Sequence, residues 1–337
     1  MCTVRLRFQT AASGDHSKTV TLSSSGATSD IAFTTTMNPG SPSGLISFDN
    51  VPATMIADGA DTQTIDVSFV GDDFSNPVAD GTSVTIAITN ATLPEGNTIT
   101  TTAGRSSFQV QSTNTRGDIE ITLSSGEATG LIVINAASGP AIGLIEVETY
   151  NQNVRANGTS SVMIKTKAIK DTDSNTVNDG TQVFFELDAS GVLSSVSGVT
   201  FSGVAYVQVT SQTTAETTNL TISSNPNFDT DGVTVLSYNA AGTYPISFIP
   251  NAPSGTFNVT PSTSAIYYEN LGATTFDEFA DIEIGPITDS DSNLVGAGIT
   301  VDLALTNGLS KDKSSNSRVL SITTDADSIA RFQVKGE

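Results

Sequence analysis

Three short blocks recur in the same order along this chain, and the distances between them repeat. The first block reads SGLISF at Ser43–Phe48, IGLIEV at Ile142–Val147 and SGTFNV at Ser254–Val259. The second reads DDFSNPVADGTSVTIAI at Asp72–Ile88, DTDSNTVNDGTQVFFEL at Asp171–Leu187 and DSDSNLVGAGITVDLAL at Asp289–Leu305. Gly44 to Gly81 and Gly143 to Gly180 are both 37 residues, while Gly255 to Gly298 is 43. The third block is SSFQVQS around Phe108, AYVQVTS around Val207, ARFQVKG around Phe332 and LRFQTAA around Phe8. From Gly81 to Phe108 and from Gly180 to Val207 the distance is 27 residues. Equal spacing over such lengths marks a tandem array in which each repeat is one structural unit.

A further match follows the third block: VTLSSSGAT at Val20–Thr28, ITLSSGEAT at Ile121–Thr129 and the shorter LTISS at Leu220–Ser224. Each leads to a connector of small residues, MNPGSPSG at Met37–Gly44, NAASGPAIG at Asn135–Gly143 and NAPSG at Asn251–Gly255. Short uncharged segments of Pro, Gly and Ala suit stiff joints rather than floppy tethers. The expected division is therefore 1–43, the C-terminal half of a repeat; 44–142, a whole repeat; 143–254, a whole repeat; and 255–337, the N-terminal part of another. The third segment carries an additional stretch, Asn225–Gly242, whose DTDG at Asp229–Gly232 is read as the turn of an extra hairpin near the sandwich edge.

Within each repeat the apolar residues alternate with period two, the pattern of a strand with one buried face. Ile65, Val67 and Phe69 form one such set, Ile164, Thr166 and Ala168 a second, and Ile282 and Ile284 a third. Val84, Ile86 and Ile88 correspond to Val183, Phe185 and Leu187, and to Val301, Leu303 and Leu305. About seven strands per hundred residues, punctuated by turns, is the signature of a two-sheet sandwich. Composition agrees: roughly a quarter of the chain is Ser or Thr, with 28 Gly and no Trp, so the fold class is all-β. A single cysteine, Cys2, leaves the cores to apolar packing alone.

The charge excludes some partners. Thirty-five acidic against 14 basic residues give a net charge of −21, which repels nucleic acid and anionic membrane surfaces. No run of about 18 apolar residues is present, so membrane insertion through a helix is not expected. The start is not a basic-then-apolar signal peptide, so if the protein is exported its signal lies outside this sequence.

In the second block Asp72, Asn76, Val78 and Gly81 align with Asp171, Asn175, Val177 and Gly180, and with Asp289, Asn293, Val295 and Gly298. Turn chemistry accounts for all four positions: Asn and Gly accept positive φ, Asp closes an Asx turn, and Val tucks beneath the loop. A second reading stays open beside it. Two copies run D-x-D-x-N, Asp171, Asp173, Asn175 and Asp289, Asp291, Asn293, and alternating oxygens are how calcium is held. An EF-hand loop is excluded, because its sixth position is Thr176 or Leu294 and its twelfth Gln182 or Thr300. A calcium site here would need oxygens from neighbouring loops.

The segment DDFSNPVADGTSVTI, followed by GVAYVQVTSQTTAETTNLTISS, resembles the group 1 bacterial Ig-like domains found in tandem in the invasin and intimin surface adhesins. Asn76-Pro77-Val78 and Asp80-Gly81 carry the match best; the copies at Asn175 and Asn293 lack the Pro, and Ser stands before Asn in all three. The resemblance implies tandem immunoglobulin-like β-sandwich domains in an elongated rod, with partial domains at both ends. It also implies an extracellular or cell-surface location, in a fibre, stalk or surface layer.

Nothing points to an enzyme. His16, the only histidine, sits in a polar turn, and Cys2 has no histidine partner for activation. Lys165 and Lys167 alternate with apolar neighbours and read as outward-facing. Two arrangements of partners stay open: neighbouring repeats of a longer repetitive chain of which this is an excerpt, which is the preferred reading, or other copies of this chain joined by head-to-tail strand exchange. Alternatives are a surface glycan or receptor, for which Tyr267, Tyr268 and Phe276 form the one local aromatic group, and a role in a phage fibre or decoration protein.

Overall fold

The computed structural model describes residues 7, 9–228, 233–264, 279–305, 309–310 and 319–335. Among these every regular element is a strand, and no helix is long and apolar enough to cross a membrane. The chain divides into two compact units, one of residues 1–141 with 170–178, the other of 142–169 with 179–337.

The first unit opens with an antiparallel hairpin, β1 (Gly14–Ser24) and β2 (Ala27–Met37). There follow β3 (Ser47–Asp49), β4 (Thr54–Ile56), β5 (Thr62–Phe69), β6 (Ser83–Ile88), β7 (Ala91–Thr92), β8 (Thr98–Thr100), β9 (Ser106–Ser112), β10 (Gly117–Ser125) and β11 (Ala128–Ala137). They form two sheets, ordered β4-β11-β10-β6-β8 and β3-β5-β9-β7. One apolar cluster joins them: Ile65, Val67, Phe108 and Val110 from one sheet pack with Val84, Ile86, Ile119, Ile121, Leu123 and Ile134 from the other. The alternation read from the sequence is what fills this sandwich, since period two sends every second side chain inward.

The first strand of the repeat is shared between the sheets: β3 runs antiparallel to β5, and β4 runs parallel to β11. The crossing falls at Asn50-Val51-Pro52, where Asn50 takes φ of 55° and Pro52 has no N–H to continue a ladder.

The second unit repeats the plan with β12 (Gly143–Leu144), β13 (Asn153–Arg155), β14 (Ser161–Lys165), β15 (Gln182–Leu187), β16 (Val192–Leu193), β17 (Ser197–Val199), β18 (Tyr206–Thr210), β19 (Thr217–Phe228) and β20 (Val235–Ile249). Its sheets are β12-β20-β19-β15-β17, with β13 also pairing parallel to β20, and β14-β18-β16. A further set comprises β21 (Val259–Pro261), β22 (Phe279–Ile284), β23 (Thr300–Ala304), β24 (Leu309–Ser310), β25 (Val319–Thr323) and β26 (Ala330–Lys335). These pair as β21-β22-β26-β24 and β23-β25 around Ile284, Ile287, Val301, Leu320, Ala330 and Phe332.

Two details depart from the sequence reading. Ile164 and Thr166 are buried but Ala168 is exposed, because β14 ends at Lys165 and it is Ile169 that turns inward. The stretch after Asn225 is also no separate edge hairpin. It lengthens the β19–β20 ladder, which runs from Thr217↔Ser247 to Phe228↔Val235 with an irregularity at Asn227/Phe228. Asp229–Gly232, Tyr267, Tyr268, Phe276 and Cys2 lie outside the described residues.

Candidate functional site

The aligned Asp-to-Asn turns are built alike. In the first, Asp72 Oδ1 accepts the N–H groups of Phe74 and Asn76, both at 2.9 Å. In the second, Asp171 Oδ1 accepts those of Asp173 at 3.0 Å and Asn175 at 2.8 Å. In the third, Asp289 Oδ1 accepts those of Asp291 and Asn293, both at 2.9 Å. The backbone closes on itself through Gly71↔Pro77, Lys170↔Thr176 and Thr288↔Leu294. Val78 and Val177 are buried beneath, and Val295 is partly so. The Asx turn and the tucked valine thus stand as read.

The role assigned to Asn does not. Positive φ falls on the residue before it, Ser75 at 61°, Ser174 at 65° and Ser292 at 68°, and on the later glycines Gly81, Gly180 and Gly298. A fourth turn isolates what Asn adds. Asp325 Oδ1 accepts the N–H of Asp327 at 2.9 Å and of Ile329 at 3.0 Å, with Ser328 at φ of 63°. The same turn therefore forms with Ile in the Asn position, so the Asn is not demanded by local geometry.

Its side chain is used at long range instead. Asn76 donates from Nδ2 to Ala11 O at 2.7 Å and accepts the Ser13 N–H at 2.9 Å. Asn293 donates to Thr213 O at 2.7 Å and accepts the Ala215 N–H at 2.8 Å. Asn175 donates to Asn114 O at 2.9 Å and accepts the Arg116 N–H at 3.3 Å. In each case one amide closes on residues i and i+2 of the turn that precedes a hairpin, β1, β19 or β10. A primary amide can do this because it offers donor and acceptor side by side.

The remaining carboxylate oxygen ties down the connector. Asp72 Oδ2 accepts Gly40 N–H at 2.8 Å, Asp171 Oδ2 accepts Gly139 N–H at 2.9 Å, and Asp289 Oδ2 accepts Asn251 N–H at 2.9 Å. These three aspartates are only 7, 6 and 4 % exposed. The Gly40 N–H first, then the Asn76 amide and the turn N–H groups, hold the Asp72 carboxyl down to about 2. Burial works against ionisation of Asp289, yet Asn293 and the N–H groups of Asn251, Asn293 and Asp291 keep its pKa below the ordinary carboxylate value.

The D-x-D-x-N residues are therefore brought together as hydrogen-bonding partners. Both oxygens of Asp171 and of Asp289 face N–H donors, Asp173 Oδ1 accepts from Asn114 Nδ2 at 2.6 Å, and Asp291 Oδ2 lies 3.5 Å from Asn251 Nδ2. Among the described residues no group of three or more His, Cys, Asp and Glu is placed to hold a metal. Arg116 adds a contact that the sequence did not announce, from Nη1 to Thr176 O at 2.6 Å. His16 lies 2.9 Å from Ala12 O, while Lys165 and Lys167 pair with Glu148 at 2.6 Å and Glu146 at 3.3 Å.

The fold and its repeated joints define a tandem Ig-like β-sandwich protein, and solved structures of that class match it. The FdeC adhesin of Escherichia coli aligns over 88 % of this chain and 88 % of its own, at 12 % identity and a TM-score of 0.50. InvD of Yersinia pseudotuberculosis aligns over 88 % of this chain and 80 % of its own, at 14 % identity and a TM-score of 0.51. At such identities the likeness is one of fold. No protein-family model matches the chain, and no curated protein matches it in sequence.

Proposed function

We propose that this chain is a structural or adhesive element outside the cell, a run of Ig-like repeats that holds its domains at set intervals in a stalk, fibre or surface layer. The observation that carries the reading is the repeated Asp–Asn clasp, with the same side chains making the same backbone contacts at three places. Six hydrogen-bonding residues spent on joints, rather than on a pocket, suit a part whose work is mechanical. The Ig-like fold shared with an adhesin supports the same class. In this reading Asp171, Asp173 and Asn175, with Asp289, Asp291 and Asn293, close the joints through N–H donors and not through calcium. The high negative charge keeps neighbouring copies apart until salt screens it.

Small-angle scattering of the whole chain and of an Asn76→Ala, Asn175→Ala, Asn293→Ala variant tests this. The wild type is expected to give one sharp maximum dimension, and the variant a broader, shorter distribution. Identical distributions would remove the mechanical role of the clasp.

A second reading, recognition of a receptor or glycan, has one observation in its favour. Met163, Val192 and Tyr206 are more than half exposed on the sheet of β14, β16 and β18.

A further inference from the structure

We propose that a second copy of this chain docks on the edge of the second repeat formed by β16 and β17, the two β17 strands pairing antiparallel about a two-fold axis. The contact lies within one complete repeat and joins copies side by side. It goes beyond the surface-repeat reading and does not depend on the clasp.

The edge differs from its counterpart in the first repeat in one consistent direction. The fold itself matches the positions: β16 pairs with β18 as β7 does with β9, β17 pairs with β15 as β8 does with β6, and the bridge Phe201↔Val204 repeats Thr102↔Arg105. Where the first repeat has Thr92, Asn97, Thr100 and Thr102, the second has Val192, Val196, Val199 and Phe201. These apolar side chains are 54, 71, 63 and 75 % exposed. Charge disappears as well. Glu95, three residues before β8, has Ser194 in its place before β17, and Arg105 has Val204. From Ala189 to Ala215 the chain carries no charged residue, although the whole has 35 acidic and 14 basic ones. Exposed sheet edges are ordinarily guarded by charge against pairing with another sheet, and this edge has lost its guard.

The backbone is set for such pairing. Phe185 N–H donates to Val196 O and Thr200 N–H to Thr181 O, both at 2.9 Å. An antiparallel ladder alternates, so the N–H and C=O groups of Ser197 and Val199 face away from β15. Among the described strands β17 pairs with β15 alone. The Ser195 hydroxyl donates to Ser197 O at 2.5 Å, a local stand-in that a paired strand would replace.

Charge also selects the occupant. A partner recognised through ion pairs finds nothing to pair with on this strip. Two copies of a chain at −21 repel each other, and an edge without charge is a face on which they can meet. The register that uses every outward group of both residues sets Ser197 of each copy opposite Val199 of the other. Such a contact is isologous, so it closes at the dimer. Four apolar side chains per copy put it below about 1,200 Å² in total, the range of weak, reversible complexes.

Sedimentation of the full chain over a range of concentrations tests this, in about 10 mM and about 1 M salt, where screening lengths are about 30 and 3 Å. The wild type is expected to pass from monomer to dimer as concentration rises, and to do so at lower concentration in high salt. A variant carrying the first repeat's residues, Val192→Thr, Val196→Asn, Val199→Thr and Phe201→Thr, is expected to weaken the dimer about tenfold or more. Ser194→Glu, which restores only a charge, is expected to weaken it at low salt and much less at high salt. A chain that stays single under all these conditions would overturn the proposal and leave the edge to a partner of another kind. Dimers that form equally well in the edge variants would overturn it too. The scattering comparison of the clasp variant, made below the concentration of dimerisation, is read separately, so the two readings fail separately.

Discussion

Replacing Asn293 by Ala removes the two hydrogen bonds to the turn before β19, whose loss is worked here, together with the Nδ2 contacts to the Asp289 carboxylate at 3.0 and 3.2 Å. Its amide spans the turn at Thr213–Ala215, with contacts of 2.7 and 2.8 Å. Net values of about 1 kcal/mol per bond put the loss near 2 kcal/mol. At 1.4 kcal/mol per factor of ten, opening of this contact becomes roughly 30 times more frequent. Hydrogen exchange at the Ala215 amide reads that change directly, because Asn293 Oδ1 is the acceptor of that N–H. The Asn251 amide, held by Asp289 Oδ2, is the internal control and is expected to change far less. Asn293→Asp sharpens the test. It keeps an acceptor for Ala215 but loses the donor to Thr213, and it sets a carboxylate against the Asp289 oxygens that now lie 3.0 and 3.2 Å from Nδ2. Exchange is therefore expected to be faster in Asn293→Asp than in Asn293→Ala. Unchanged protection of Ala215 in both variants would refute the clasp.

Acid should release the first clasp in a defined window. The Asp72 carboxyl is held down to about 2 from an ordinary 3.8, so its contribution is complete above pH 3.8 and is lost as pH falls towards about 2; exchange of the Gly40 amide against pH follows it, and Asp72→Asn is expected to flatten the profile. Calcium at millimolar concentration, or a chelator, should leave the melting temperature unchanged, as both oxygens of Asp171 and Asp289 already receive N–H groups. Ile121→Ala, at a fully buried position, should cost about 2–5 kcal/mol in denaturant unfolding. Leu22→Ala at an exposed position of β1 should cost about 0.5 kcal/mol or less at concentrations where the chain is a monomer.

The strands were legible because a sandwich writes itself into side chains at period two. Val84, Ile86, Val183 and Phe185 announce a buried face without reference to anything distant. The turn was legible for the same local reason, as Asp72 bonds residues two and four positions on. What escaped was the use of Asn76, Asn175 and Asn293. Their partners are backbone groups of Ala11, Asn114 and Thr213, three different residues, and a backbone carbonyl leaves no mark on residue identity. One signal was available: Asn recurs at the position where Ile329 serves an otherwise equivalent turn. The lengthened β19–β20 ladder was misread because DTDG at Asp229–Gly232 reads as the turn of a hairpin of its own, whereas strand pairing continues from the core ladder through Pro226↔Tyr238.

The clasp also bears on how such an array grows. Every full repeat carries a plug near its start, the Asp–Asn turn, and a socket near its end, the i and i+2 backbone groups with the small-residue connector. The socket is made of main chain, so it tolerates sequence drift that would ruin a side-chain interface. A gene segment duplicated anywhere in register would then arrive with both fittings already matched. The array can lengthen or shorten by whole repeats without any joint having to be invented.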